Sequence, residues 1–234
     1  LIMQLYSFFR SGTSHRVRIA LNLKGLAAQY MVVDLRTEAH QSADYKALNP
    51  QGLVPALVKD GMVMTQSPAI IEWLEETHPT PALLPSTPDE RARVRALAAL
   101  VACDIHPINN RRILQTLRKQ FGANEDAINA WCASWISAGF DAYEALIAAD
   151  SRRGRFSFGD TPTLADVYLI PQVESARRFN VDLTKWPHIM AVEKACMALE
   201  AFQKAGINWL ALGIEAGSQT VRQEVSKGSF KDVN

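Results

Sequence analysis

A chain of 234 residues is long enough for one large domain or two modest ones, each with its own core. With 48% hydrophobic and 21% charged residues and a formal charge of +1, it resembles an ordinary soluble globular protein. It lacks the one-sided basic excess that a nucleic-acid or acidic membrane partner would require.

No apolar run approaches the roughly 20 residues of a membrane span, and no basic-then-apolar leader opens the chain, so a cytoplasmic location is expected. The three cysteines, Cys103, Cys132 and Cys196, are far apart without a CxxC pair, and the five histidines show no HxxxH or HExxH pattern. Neither a disulfide framework nor a metal site is expected. Each cysteine reads as a small buried apolar residue.

Met3 to Phe9 (MQLYSFF) alternates as a strand. Ser14 to Lys24 then carries Val17, Ala20, Leu21 and Lys24 at helical spacing, preceded by Ser11, Gly12, Thr13 and Ser14. Hydroxyls at a helix start can serve as caps. The same helix end can instead receive an anion, because its N–H groups and dipole favour negative charge. Arg10, His15, Arg16 and Arg18 surround it. Ala28 to Leu35 is a second, β-branched and aromatic strand, and ADYKAL a short helix broken at Asn49-Pro50. Two short strands flank Asp60-Gly61, a strong hairpin signal. A helix from Pro68 to Thr77 follows, with Ser67 as its expected N-cap and Pro68 at the first helical position. The order β-α-β-α-β-β-α over about 80 residues predicts a small α/β domain.

HPTPALLPSTPD (His78 to Asp89) holds four prolines and suits a semi-rigid linker. Beyond it strand signals stop. Arg91 to Leu117, Glu125 to Ala149, Leu164 to Phe179 and Pro187 to Lys204 carry helical periodicity, and Thr163 with Asp166 forms a capping-box variant. The second domain is expected to be all helical.

Several residues along this frame could carry chemistry. Val54-Pro55 enters a strand, where proline marks an edge or a special turn. The dipeptide alone leaves its cis or trans state open; a cis bond would turn the Val54 N–H and C=O outward toward an extended ligand. Gln66 and Ser67 open a helix whose end could hold a ligand carboxylate. CDIHPINNRRIL (Cys103 to Leu114) places Pro107 inside an expected helix, predicting a kink. On a continuous helix His106 and Asn110 would share one face, and Asp104 and Arg111 another. Such a run is either a solvated polar face or, with Arg112, a cleft wall. Arg177-Arg178 closes a helix, where cations favour the dipole without any ligand.

Together these motifs resemble the glutathione transferase family, and the stretch SGTSHRVRIALNLKG resembles the zeta-class active-site motif. Through RSGTSHR, ALNPQGLVPAL, QSPAIIEWLEE, CDIHPINNRRIL, GDTPTLADVYLIPQVESARRF and VDLTKWP, the similarity is closer to the bacterial glutathione-dependent maleylpyruvate isomerases. It runs from Met3 to about Ala205. One departure is Thr13, which stands where the wider zeta class has Cys; this disfavours chemistry by a protein thiol. The resemblance implies a thioredoxin-like α/β glutathione-binding domain (1–83) and an all-α substrate domain (89–205).

It also implies roles for particular residues. Ser11, Gly12 and Thr13 would meet the glutathione sulfur, His40 its glycine end, Val54 (on a cis peptide) its cysteinyl backbone, and Gln66 and Ser67 its γ-glutamyl carboxylate. Asp104, His106, Asn110, Arg111 and Arg112 would line the cleft, completed by Arg10 and Arg178. The implied reaction is cis–trans isomerisation of maleylpyruvate or maleylacetoacetate in aromatic-compound degradation, with reversible addition of the glutathione thiolate allowing rotation about the former double bond. Arg10, Arg112 and Arg178 suit the two substrate carboxylates and the developing enolate, and Ser11 and Thr13 the thiolate. A homodimer, in which Asp104 reaches the partner's ligand, is implied as well. The alternatives are a transferase or peroxidase acting on electrophiles, and a non-catalytic glutathione-binding protein.

Both ends depart from this pattern. Leu1-Ile2 precede the natural start expected at Met3. The 206–234 tail resembles a fragment of a radical S-adenosylmethionine enzyme but has no CxxxCxxC cluster motif, so it reads as a joined reading frame without activity.

Overall fold

The computed structural model describes residues 2–206. The segment 207–234, nearly all of the tail expected to be unrelated, lies outside the described residues. The chain forms two compact units: one comprises residues up to Ile71 with the segment from Leu199, the other Glu72–Ala198. This division differs from the one expected at the proline-rich linker. The second unit starts inside the helix before that linker, and the last described helix packs with the first unit.

In the first unit β1 (Met3–Ser7) leads into α1 (Gly12–Leu23), β2 (Ala28–Val32), α2 (Ala43–Leu48) and the hairpin β3 (Ala56–Lys59) and β4 (Met62–Thr65). The sheet order is β2-β1-β3-β4, with β1 parallel to β2 and β3 antiparallel to both β1 and β4. Asp60 and Gly61 both have positive φ, 51° and 81°, the backbone that a tight two-residue hairpin requires. Leu5, Val17, Ile19, Leu21, Ala56 and Leu57 are fully buried and form this unit's core. The strands are shorter than their apolar runs predict. After Ser7 the chain turns into the helix start, where the Ser11 N–H donates to the Phe8 carbonyl at 3.0 Å. After Val33, Asp34 turns the chain by accepting from the Arg36 N–H at 2.8 Å. α3 (Ser67–Thr77) begins in this unit.

The second unit is helical: α4 (Pro88–Ala99), α5 (Arg111–Phe121), α6 (Glu125–Ala149), α7 (Leu164–Arg178) and α8 (Pro187–Met197). The expected helix from Arg91 to Leu117 is not one kinked rod. A π-helical turn spans Leu100–Ile105, with the His106 N–H donating to the Val101 carbonyl at 2.9 Å, and a 3₁₀ turn spans Pro107–Asn109. The wider turn lets the chain reach Pro107, which has no N–H to donate, and the helix restarts at Arg111. The π turn packs tightly on α6; a Cβ at Gly139 would overlap the Ile105 side chain.

The expected helix from Pro187 to Lys204 also divides. α8 stops at Met197, and α9 (Glu200–Ala205) packs against α1. Asp166, fully buried, accepts from the Thr163 N–H at 2.7 Å, the Thr163 hydroxyl at 3.1 Å and the Ser157 N–H at 2.9 Å. It thereby ties the loop before α7 to that helix's first turn. Cys132 and Cys196 are buried as expected, but Cys103 is exposed on the π turn. No helix among the described residues is long and apolar enough to cross a membrane.

Candidate active site

The first unit assembles its candidate residues around the start of α1. Ser11 is the N-cap, and its Oγ accepts from the Ser14 N–H at 3.2 Å. That Oγ also lies 2.9 Å from Thr13 Oγ1, and Thr13 Oγ1 donates to the Val54 carbonyl at 2.9 Å. A threonine hydroxyl has one proton. With that proton on the Val54 carbonyl, the Ser11 hydroxyl is the donor to Thr13. A directed chain, Ser11 to Thr13 to Val54, therefore joins the helix start to the loop before β3. Helix geometry leaves the Gly12 and Thr13 N–H groups without an intrahelical acceptor, so this end offers N–H donors, while both hydroxyl protons are committed within the chain.

Val54 is buried and its peptide to Pro55 is cis, as the resemblance implied. β3 is an inner strand, so Pro55 marks a special turn and not an edge. The expectation that the Val54 carbonyl faces a ligand with nothing bound to it is corrected, because Thr13 already donates to it. Its second lone pair stays available. The loop is braced from below: the Tyr45 hydroxyl and Asn49 Nδ2 both donate to the Leu53 carbonyl at 2.7 Å. Burial pushes the Tyr45 hydroxyl up to about 12, so it remains a neutral donor. His40 is buried in the 3₁₀ turn Ala39–Gln41. Its carbonyl lies so close to Gly52 (φ 59°) that a Cβ there would sit 2.9 Å away.

At the start of α3 the cap expectation fails. Gln66 takes a positive φ of 69°, the helix begins at Ser67, and the Ser67 side chain caps nothing. Its Oγ is buried, with the residue 2% exposed, and has no hydrogen-bonding partner. An orphaned buried hydroxyl fits a site that receives a polar ligand group. Beside it the exposed Gln66 amide donates to Gln51 Oε1 at 2.5 Å. Nothing in the sequence spacing ties Gln51 to Gln66, fifteen residues on. Arg10 is exposed on the loop between β1 and α1.

The second unit carries the other candidates. Asp104 is exposed on the π turn, and His106 follows it half-buried. Asn110 caps α5, accepting from the N–H groups of Arg112 at 3.0 Å and Ile113 at 3.4 Å. His106 and Asn110 therefore do not share a helix face, nor do Asp104 and Arg111, because the helix is interrupted between them. Arg111 and Arg112 occupy the first turn of α5, half-buried and exposed respectively. Asn109, just before them, is buried with neither amide atom hydrogen-bonded, a feature that no sequence motif signals. Trp131 Nε1 pins this turn by donating to the Ile108 carbonyl at 3.0 Å.

At the end of α7 the two arginines separate in role. Arg177 pairs with Glu193, its Nη2 2.6 Å from Oε2. Arg178 is exposed, and its charge acts with that of Arg118 on the Cys132 thiol, which burial pushes up to about 12.

Two family models match this chain. The glutathione S-transferase N-terminal domain family matches residues 10–77, and the glutathione S-transferase C-terminal domain family matches residues 111–195. A maleylpyruvate isomerase from Ralstonia sp is 70% identical over 203 residues, covering 87% of this chain and 96% of that protein. The holo structure of a maleylpyruvate isomerase, described as a bacterial glutathione S-transferase of the zeta class, is similar with a TM-score of 0.87. It is 68% identical, over 88% of this chain and 97% of the other. A maleylacetoacetate isomerase from Anaeromyxobacter dehalogenans, with dicarboxyethyl glutathione and citrate bound in the active site, is 42% identical with a TM-score of 0.79. That match covers 89% of this chain and 92% of the other.

Proposed function

Because the chain belongs to the glutathione S-transferase family, we propose that it is a glutathione-dependent cis–trans isomerase of maleylpyruvate or maleylacetoacetate. The observation that carries this reading is the Ser11–Thr13–Val54 chain of hydrogen bonds at the start of α1, a cradle of donors with no protein thiol in it. Bound glutathione supplies the nucleophilic thiolate that a threonine at position 13 does not. The N–H groups of Gly12 and Thr13 favour a sulfur anion at this helix end, by charge as well as by hydrogen bonding, and the Ser11–Thr13 pair holds them in place. The Val54 backbone, the orphaned Ser67 hydroxyl and Gln66 hold the peptide, with His40 toward its glycine end. Asp104, His106, Asn110 and Arg111 line the cleft. Arg10, Arg112 and Arg178, all exposed, hold the two carboxylates and the charge that develops between them. The relative with bound dicarboxyethyl glutathione supports the same chemistry, since that ligand joins glutathione to a diacid. The chain works as a cytoplasmic homodimer in aromatic-compound degradation.

Replacing Arg10, Arg112 or Arg178 by Met separates isomerase from transferase. Loss of a donor made mainly in the transition state costs about 2–4 kcal/mol, or roughly 30- to 1000-fold in isomerisation. Conjugation of glutathione to a neutral aromatic electrophile stays nearly unchanged, because it builds no dicarboxylate charge. A parallel fall of both activities, or an isomerisation rate that barely moves, contradicts the reading. Light scattering that gives a monomer at micromolar concentration contradicts the dimer.

A further inference from the structure

Arg18 is fully buried in the middle of α1, although charged side chains are rarely buried unless their donors are satisfied. Its guanidinium is spent on the loop that carries the cradle. Nη1 donates to Ser7 Oγ at 3.2 Å and makes a long contact of 3.5 Å to the Phe8 carbonyl, and Nη2 donates to the Phe9 carbonyl at 3.0 Å. Nε donates to the carbonyl of Ala205, at the end of α9, at 2.9 Å. A second tie runs alongside, from Asn22 Nδ2 to the Ala201 carbonyl at 2.9 Å.

We infer that Arg18 is a positioning residue of the thiolate cradle, fixing the orientation of the Phe8–Ser11 loop and locking it to α9. The inference rests on the glutathione reading above. In a trans peptide the C=O and N–H point in opposite directions. Holding the Phe9 carbonyl on Arg18 therefore turns the Arg10 N–H the other way, and it draws carbonyl oxygens, which would repel a sulfur anion, toward the guanidinium. The Phe8 carbonyl is shared: it also accepts the Ser11 N–H at 3.0 Å, so the contact with Arg18 bears directly on the residue that caps α1. A planar fork with donors on all three nitrogens can serve such divergent acceptors at once; a lysine ammonium is a single point and cannot.

The test compares wild type, Arg18→Lys and Arg18→Met. The apparent pKa of protein-bound glutathione is read from the ultraviolet thiolate band, and the glutathione Kd is measured by calorimetry. The other ionisable groups near the start of α1, Arg10, His15 and Arg16, are the same in all three proteins, as is Tyr30, which feels the Arg18 charge. Arg18→Lys is expected to raise the bound thiol's pKa by about one unit, equivalent to about tenfold less thiolate below that pKa. The pH–rate profile of isomerisation moves alkaline by the same amount. The Kd at a pH below both pKa values, where bound glutathione keeps its thiol proton, changes less than about threefold, because the peptide anchors at Val54 and Ser67 are untouched; above both it weakens by about the same tenfold.

If Arg18→Met does not fold, Ser7→Ala, which removes one acceptor only, gives a smaller shift of the same sign. A thiol pKa and pH profile in Arg18→Lys equal to those of wild type overturn the inference while leaving the isomerase reading intact. A loss of activity with the pKa unmoved overturns it too. Wild type that neither binds glutathione nor lowers its thiol pKa overturns the isomerase reading, and this inference with it.

Discussion

Thr13→Val removes one oxygen and keeps the β-branched shape, so it isolates the hydroxyl that joins the helix start to the Val54 loop. Two contacts disappear: the 2.9 Å contact with Ser11 Oγ and the 2.9 Å bond to the Val54 carbonyl. Ser11 Oγ keeps its bond from the Ser14 N–H, so capping of α1 survives. Each lost bond is worth roughly 1 kcal/mol net, giving about 1–2 kcal/mol of destabilisation without ligand. For a chain of this size that corresponds to a fall of roughly 2–8 °C in melting temperature. Calorimetric binding should weaken at the same time, because the Val54 backbone and the helix start are no longer held in register. In a double-mutant cycle Ser11→Ala and Thr13→Val share a bond and are expected to be non-additive by about 0.5–1 kcal/mol. A Thr13→Val protein with wild-type melting temperature and glutathione affinity, or an additive cycle, refutes the claim that these residues act as one chain.

Asp166→Ala should cost about 3–5 kcal/mol in denaturant unfolding, because it orphans the Thr163 and Ser157 N–H groups and the Thr163 hydroxyl in a fully buried place; a loss below about 1 kcal/mol contradicts this. Ser67→Ala should leave the melting temperature of the ligand-free protein nearly unchanged, since its Oγ has no partner there, while weakening glutathione binding about 5- to 30-fold by calorimetry. Asp34, Glu72 and Asp150 are each held below the usual carboxylate range, chiefly by hydrogen bonds from Arg36, Arg95 and Arg152. The folded state therefore binds fewer protons than the unfolded state between the lowered and ordinary pKa values. The stability these pairs contribute is present above the ordinary range and is lost as pH falls through the lowered values. Melting temperature followed from about pH 6 down to about pH 3 should fall, with a shallower slope in Glu72→Gln; identical slopes would contradict the assignment.

Legibility in the sequence followed the locality of the physics. The Asp60-Gly61 hairpin was readable because the turn's positive φ values demand those residue types within two positions. α6 was readable because a long apolar stripe, uninterrupted by proline, runs from Glu125 to Ala149. The region around Pro107 was only half readable. Proline announces that a helix cannot continue unchanged, but whether the chain bends, widens into a π turn or stops depends on packing against Gly139 of α6. The same limit misled the reading of Ser67, whose residue type suits a cap while the left-handed Gln66 before it moves the helix start by one position. Arg18 looked like part of a cationic fringe around an anion site. Its partner at Ala205 lies 187 residues away in sequence, beyond any spacing argument. The candidate residues of the cradle were found largely through whole-motif resemblance; the bonds among Ser11, Thr13 and Val54 needed three-dimensional structure.

The most direct test of the central claim is to follow maleylpyruvate and maleylacetoacetate by ultraviolet absorbance with no glutathione, and then with glutathione well below the substrate concentration. An isomerase that uses glutathione as a returned nucleophile gives no turnover in its absence. When glutathione is added, many product molecules form for each glutathione, which is recovered unchanged as the free thiol. Product that stops at one equivalent of glutathione, or turnover that proceeds without it, contradicts the account.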